Sequence, residues 1–247
     1  MLRNALKRWL PPRYLIHPRA LDYYFFGAPE IRFIKRLCSV NKASVDIGAN
    51  LGIFSYFMRR HSSHVFAYEP NPDLVALLNS TFRSGVTVVP TALSSEPGQL
   101  QMKIPIFSNV EQHGLASLSQ EFPDADDVRT LDVPVRRLDD EPLGEVGFIK
   151  IDVEQHEREV LQGGMGLIAE QKPNLLVEVS PLLYETALPQ VFEPILSLGY
   201  KGCFLFESRV VTFESFDPEI HTRRENLGDK HRFVGNVMLT PEHFSFT

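Results

Sequence analysis

At 247 residues the chain can hold one large domain or two small ones, since domains commonly run to roughly 100–200 residues, and one α/β core is the simpler expectation. Its 43% hydrophobic and 23% charged residues exclude wholesale disorder, and a formal net charge of −6 argues against a nucleic-acid duplex as main partner, because phosphate neutralisation needs clustered Lys and Arg. Two cysteines, Cys38 and Cys203, are too few for a disulfide framework or a Cys-rich zinc site. They fit a reducing cytoplasm, the expected location. No run approaches the ~18 apolar residues of a membrane span. The basic N-terminus is interrupted by Pro11-Pro12 before an apolar signal region of ~7–15 residues can form, so no cleaved secretion signal is expected.

Residues 1–38 read as a basic and aromatic cap segment ahead of a catalytic domain over 39–247. Arg3, Lys7, Arg8, Arg13 and Arg19 precede the first acid, Asp22, while Leu2, Ala5, Leu6, Trp9 and Leu10 fall at helical spacing. A helix packed on the domain is the simpler reading of residues 1–19; peripheral contact with an anionic membrane is the alternative. Tyr23-Tyr24-Phe25-Phe26 then reads as an aromatic connector, and Glu30 to Leu37 as a short helix.

The stretch Ser44-Val45-Asp46-Ile47-Gly48-Ala49-Asn50-Leu51-Gly52 is an apolar strand entering a Gly-x-x-x-Gly turn, followed by an apolar helix from Ile53. Such a turn offers backbone amides to a ligand. A second strand, His64 to Tyr68, ends on Glu69. Dinucleotide sites need a second glycine that lets the backbone close on a pyrophosphate, and here that place holds Asn50. A cofactor without phosphate tolerates Asn50, which points to S-adenosylmethionine and not to a nicotinamide dinucleotide. Glu69 can accept hydrogen bonds from both ribose hydroxyls.

A helix over Pro72 to Phe82 and a strand Val86 to Val89 continue the alternation that builds a parallel sheet with right-handed crossovers. Pro90 to Ser94 lies at that strand's end. From 96 to 145 the pattern lapses: Gln99 to Phe107 alternates like a strand, Val110 to Phe122 is loop-like, and Asp124, Asp126 and Asp127 precede Asp132 to Arg136. The stretch reads as a substrate-side excursion; His113 and Ser117 within it read by default as exposed loop residues, with contact to the acceptor the alternative. Gly147 to Glu154 is the fourth core strand and 156–171 a helix. Leu175 to Val179 is a strand carrying Glu178, which reads as a buried acid with a structural partner. A helical stretch from Pro181 to Leu198 and strands Gly199 to Phe206 and Phe233 to Leu239 close the chain, with a surface loop between those strands.

Four ordered blocks resemble the FkbM-type methyltransferases: Val45 to Gly52, Tyr68-Glu69-Pro70-Asn71, Ala92-Leu93-Ser94 and Lys150-Ile151-Asp152-Val153-Glu154. The resemblance covers roughly residues 40 to 180. It implies a Rossmann-like class I methyltransferase fold, a seven-stranded mostly parallel α/β sheet of order 3-2-1-4-5-7-6 with helices on both faces. It also implies S-adenosyl-L-methionine as donor and a hydroxyl of a sugar, glycan, glycolipid or secondary metabolite as acceptor. One position departs: the family usually follows its Lys-Ile-Asp-Val-Glu with glycine, where this chain has Gln155.

The candidate cofactor residues are therefore Asp46, Gly48, Ala49, Asn50 and Gly52 of the turn, Glu69 and Pro70 after the second strand, and Thr91 and Ala92 where the adenine should lie. Ligands sit outside the carboxyl ends of strands in open α/β sheets. Asp152, Glu154 and His156 should emerge there to orient an acceptor or take its proton. Their spacing is no recognised metal signature, so no metal is expected. The rival readings are a catalytically idle nucleoside-binding or scaffolding module and a nicotinamide oxidoreductase.

Overall fold

The computed structural model describes residues 12–179, 191–242 and 244. Helix α1 (Pro12–Phe26) buries Ile16 and Ala20 in one apolar cluster with Tyr56, Leu78 and Phe82, and His17 Nδ1 meets the Tyr56 hydroxyl. The helix runs through Tyr23 to Phe26, so the aromatic quartet is helical and not a connector. Residues 1–11 of the basic segment lie outside the described residues. A 3-10 turn (Pro29–Phe33) and α2 (Ile34–Leu37) lead to β1 (Ala43–Ile47), which is buried along its whole length.

Then come α3 (Ile53–Met58), β2 (Val65–Tyr68), α4 (Pro72–Thr81), β3 (Val86–Val89) and β4 (Ala92–Leu93). Helix α4 starts where its sequence signals put it. Pro72 occupies the first turn, and the Asn71 side chain accepts from the Asp73 amide at 3.0 Å. The chain continues through β5 (Gly98–Phe107), β6 (Val110–Glu111), β7 (Asp127–Arg136), β8 (Val146–Ile151), α5 (Glu157–Gly163), α6 (Met165–Gln171) and β9 (Asn174–Glu178). Last are α7 (Glu193–Leu196), β10 (Tyr200–Phe206), β11 (Arg209–Thr212), α8 (Pro218–His221) and β12 (Asn236–Pro241).

The main sheet has the order β11-β10-β12-β9-β8-β1-β2-β3. Strands β3, β2, β1, β8 and β9 are parallel, and β12 is antiparallel to both β9 and β10. With β11 set aside, the remaining seven read 3-2-1-4-5-7-6 in chain order with the last antiparallel, which is the class I methyltransferase fold.

Three corrections to the sequence reading concern local structure. First, the sheet has an eighth strand: β11 folds back on β10 through Glu207 and Ser208, whose φ values of 48° and 65° are those of a two-residue hairpin turn normally marked by Asn-Gly. Glu-Ser carries no such mark. Second, the 96–145 excursion is ordered: β5, β6 and β7 join β4 in a second sheet of order β4-β7-β5-β6, with β5 and β7 paired antiparallel along their length. Third, the predicted single helix over 156–171 breaks at Gly163–Gly164. A Cβ on Gly163 would come within 2.0 Å of the Ser94 carbonyl oxygen, so α5 approaches the β4 end more closely than any other residue permits. The stretch 180–190 of the predicted Pro181–Leu198 helix lies outside the described residues.

Candidate active site

The glycine turn sits where β1, β2 and β8 end. Gly48 has φ 73°, and a Cβ there would lie 1.8 Å from the Asp152 carbonyl oxygen, so only glycine lets the two strand ends meet. The turn's amides are largely committed within the protein. Gly48 and Ala49 donate to the Tyr68 carbonyl, and Asn50 donates to Glu69 Oε2 at 2.8 Å. Asp46 is fully buried beneath the turn, where its Oδ2 accepts from the Ser55 amide and hydroxyl. That carboxylate occupies a donor of the α3 N-terminus, so it braces the helix and does not line the cleft. Ala49 and Gly52 likewise stay out of the cleft.

Glu69 is 5% exposed, and its two oxygens accept from the Asn50 and Asn71 amides at 2.8 and 2.9 Å. Burial pushes its pKa up to about 7 against the pull of those donors. Each oxygen keeps a second lone pair, and the residue lines a cleft with Gly48, Asn50, Pro70, Thr91 and Ala92. The excursion sheet supplies the roof, through Met102, His113, Gly114, Ala116 and Leu118. His113 is fixed by Asn71 at 3.0 Å. It therefore belongs to this first cleft, whereas Ser117 is buried and donates to the Glu154 carbonyl. The roof was not legible in sequence, because its apolar residues are scattered over two short segments. The first cleft is narrow, about 60 Å³, well under the ~300–1,000 Å³ of small-molecule sites.

Lys150 is the buried hub. Its Nζ lies 2.9 Å from the Gly48 carbonyl oxygen, 3.0 Å from Asp152 Oδ2 and 3.6 Å from Asp46 Oδ1. Burial alone would lower its pKa, but the charges of Asp152 and Asp46 outweigh that and hold it above the usual lysine range. Asp152 is in turn kept low: burial opposes ionisation, yet Lys150 and a hydrogen bond from Glu178 prevail. Glu178, pushed up to about 10 by burial and by the Asp152 charge, carries the proton of that bond. Its structural partner is thus Asp152.

Strand β8 ends at Ile151, so strict alternation no longer governs Asp152 to Gln155. Glu154 and Gln155 take φ values of 50° and 74°, a left-handed turn held by Glu157 Oε1, which accepts from the Val153 and Gln155 amides. The turn brings carboxylate oxygens of Asp152, Glu154 and Glu178 within 4.8 Å of one another. Burial, then the charges of Asp152 and Glu157, push Glu154 up to about 7. The family's usual glycine falls where this chain places Gln155 in a backbone conformation that glycine adopts freely.

Asp152 and Glu154 line both the first cleft and a larger second cleft of about 390 Å³. The second is walled by Tyr23, Glu30, Phe54, Gln155, Glu178, Lys230 and Asn236; the sequence reading did not single out Glu30, Lys230 or Asn236. His156 lines neither cleft. It is buried with Nε2 at 2.9 Å from the Ser94 hydroxyl and Nδ1 at 2.7 Å from the Ser119 hydroxyl, a strut between β4, the excursion and α5.

A family model described as the methyltransferase FkbM domain matches residues 46–202. The chain belongs to the FkbM methyltransferase family. It is 28% identical over 196 residues to methyltransferase sdnD of Sordaria araneosa, a match covering 60% of this chain and 74% of sdnD. It is 31% identical over 128 residues to the hexuronic acid methyltransferase AglP of Haloferax volcanii, covering 48% of each chain. Among solved structures, an FkbM methyltransferase from Methylobacillus flagellatus KT matches at 19% identity and TM-score 0.49, over 81% of this chain and 44% of that one. This chain thus spans about half the length of AglP and less than half of the M. flagellatus chain. Among the described residues no helix is long and apolar enough to cross a membrane.

Proposed function

We infer that this methyltransferase uses S-adenosylmethionine and methylates a hydroxyl oxygen of a sugar-like or polyol acceptor. The observation that carries the reading is that Asp152 and Glu154 stand between the two clefts, facing both. The residues of the first cleft suit the cofactor. The free lone pairs of Glu69 match a pair of ribose hydroxyls, Pro70, Ala92, Met102 and Leu118 give an apolar slot for a purine, and two carboxyl groups adjoin the place of a cationic sulfur. Asp46, Ala49 and Gly52 act from beneath, by shaping the turn.

When bound, the sulfonium supplies an activated methyl group and leaves as a neutral thioether. In the second cleft Asp152, ionised and fixed by Lys150 and Glu178, orients the acceptor hydroxyl. Glu154 takes the proton as the new C–O bond forms; a carboxyl group pushed up to about 7 is a better base near neutral pH than an ordinary one. His156 has no part in the step. Six acids line the second cleft against one cation, Lys230; Glu178 carries its proton, but Asp152 stays ionised and Glu154 is ionised when it acts as base. Repulsion therefore favours a neutral hydroxyl-bearing acceptor over a carboxylated sugar of the kind named for AglP.

The test is transfer of label from methyl-labelled cofactor into neutral and uronate-rich glycan fractions. Label in an alkali-stable ether of the neutral fraction is expected, and label confined to an amine, a carboxyl ester or the uronate fraction would contradict the reading.

A further inference from the structure

The second cleft opens beside an apolar and basic rim that the transfer reaction does not use. On α1, Leu21, Phe25 and Phe26 are 60%, 57% and 79% exposed, and across the cleft mouth Leu227 is 64% exposed. Phe25 and Phe26 line an outer groove with Arg32 and the segment Gly228 to His231. Pro29, Gly228, Asp229 and Lys230 line that groove and the second cleft alike. The exposed rings thus border the opening through which an acceptor must pass.

Single exposed apolar residues need no explanation; a cluster rimmed by charge marks an interaction surface. The charge here has a sign. In a chain of net charge −6, residues 12–36 hold Arg13, Arg19, Arg32, Lys35 and Arg36 against Asp22 and Glu30, and Glu30 is buried. Arg13 lies over the Tyr14 ring, Arg32 over Tyr24 and Lys230 over Tyr23, at 4.8, 5.8 and 5.3 Å. Arg13 and Arg32 form no ion pair with any described residue, Lys230 acts on the buried Glu30 without a close ion pair, and Asp229 is the one acid of the outer groove. Apolar rings flanked by unpaired cations are the composition of a surface that inserts shallowly among anionic headgroups.

We propose that this rim docks on an anionic lipid bilayer and so presents the second cleft to an acceptor hydroxyl carried on a lipid anchor. Docking stands on the rim alone; the lipid-anchored acceptor rests on the methyl-transfer reading above. Leu21, Phe25 and Phe26 enter the headgroup layer, Arg13, Arg32 and Lys230 meet lipid phosphates, and the cleft mouth faces the membrane.

The experiment is co-sedimentation of the full chain with phosphatidylcholine vesicles and with mixed phosphatidylcholine–phosphatidylglycerol vesicles. Wild type should sediment with the mixed vesicles. Raising salt from about 0.1 M to about 1 M, which shortens the screening length from about 10 Å to about 3 Å, should weaken the binding. The triple variant Leu21→Ser, Phe25→Ser, Phe26→Ser should partition at least about tenfold more weakly, with an unchanged circular dichroism spectrum and unchanged S-adenosylhomocysteine affinity. Equal sedimentation of variant and wild type, no sedimentation of wild type with mixed vesicles, or displacement of wild type from them by single-stranded RNA would overturn the proposal. Protein that sediments as expected yet gives no heat with S-adenosylhomocysteine would uphold docking and sink the transfer reading, so the two failures are distinguishable.

Discussion

The Asp152 carboxylate, 3.0 Å from Lys150 Nζ, lies within 4.8 Å of a carboxyl oxygen of Glu178. Two half-buried acids, one just beyond β8 and one on β9, thus stand at the junction of the two clefts, where their mutual repulsion pushes Glu178 up and the lysine keeps the negative charge on Asp152.

That repulsion has a pH signature. Glu178 is pushed up to about 10 in the folded chain, far above an exposed glutamate, so the folded state binds more protons than the unfolded one between the two values. Its contribution to stability is full below the unfolded pKa of about 4.3 and falls as pH rises toward 10. Glu178→Gln keeps a donor for Asp152 and removes the penalty. Thermal melts should show the variant a few degrees more stable than wild type at pH 8 and nearly equal at pH 5.

Lys150 offers the opposite case. Removing a buried cation leaves Asp46 and Asp152 uncompensated, and Lys150→Met should destabilise by about 3–5 kcal/mol. Denaturant titration measures it. A change under 1 kcal/mol would mean that the lysine behaves as a surface charge.

Gln155 holds a left-handed φ of 74° without being glycine, which costs about 1 kcal/mol. Gln155→Gly relieves that strain but frees the unfolded chain, so the net gain should be at most about 1 kcal/mol and the midpoint of a thermal melt should rise by no more than a few degrees. A clear fall would show that the Gln155 side chain itself holds the turn.

Much of this architecture was legible in the sequence because it obeys period-two and period-3.6 patterns. The β1 turn, Glu69 at the β2 tip and the carboxylates after β8 all lie where a parallel α/β sheet puts its ligand edge. What escaped the sequence are features set by tertiary contact. Glu207-Ser208 turns a hairpin without turn-specific residues, Gly163 interrupts a helix to let it touch Ser94, and Asp46 is buried against Ser55 beneath the turn. His156 is the same lesson in reverse. A histidine beside two acids suggests chemistry, yet its nitrogens are both engaged by serine hydroxyls. The roof over the first cleft was hidden because β5 and β7 meet across a long, polar insertion.

With Glu154 proposed as the base, Glu154→Gln should lower turnover by about 10²–10⁴-fold while leaving affinity for the uncharged S-adenosylhomocysteine within about twofold. For wild type the rate should rise through pH about 7, where Glu154 loses its proton, and His156→Gln should leave that limb in place. Turnover of Glu154→Gln at the wild-type rate would remove the residue from the step.

Methyl transfer as proposed requires the first cleft to hold the donor against Glu69, and isothermal calorimetry with S-adenosylhomocysteine tests that most directly. Saturable one-to-one binding by the wild type, weakened at least about tenfold in Glu69→Ala as the ribose contacts are lost, is the predicted result. No heat with the wild type, or equal affinity in Glu69→Ala, would contradict it.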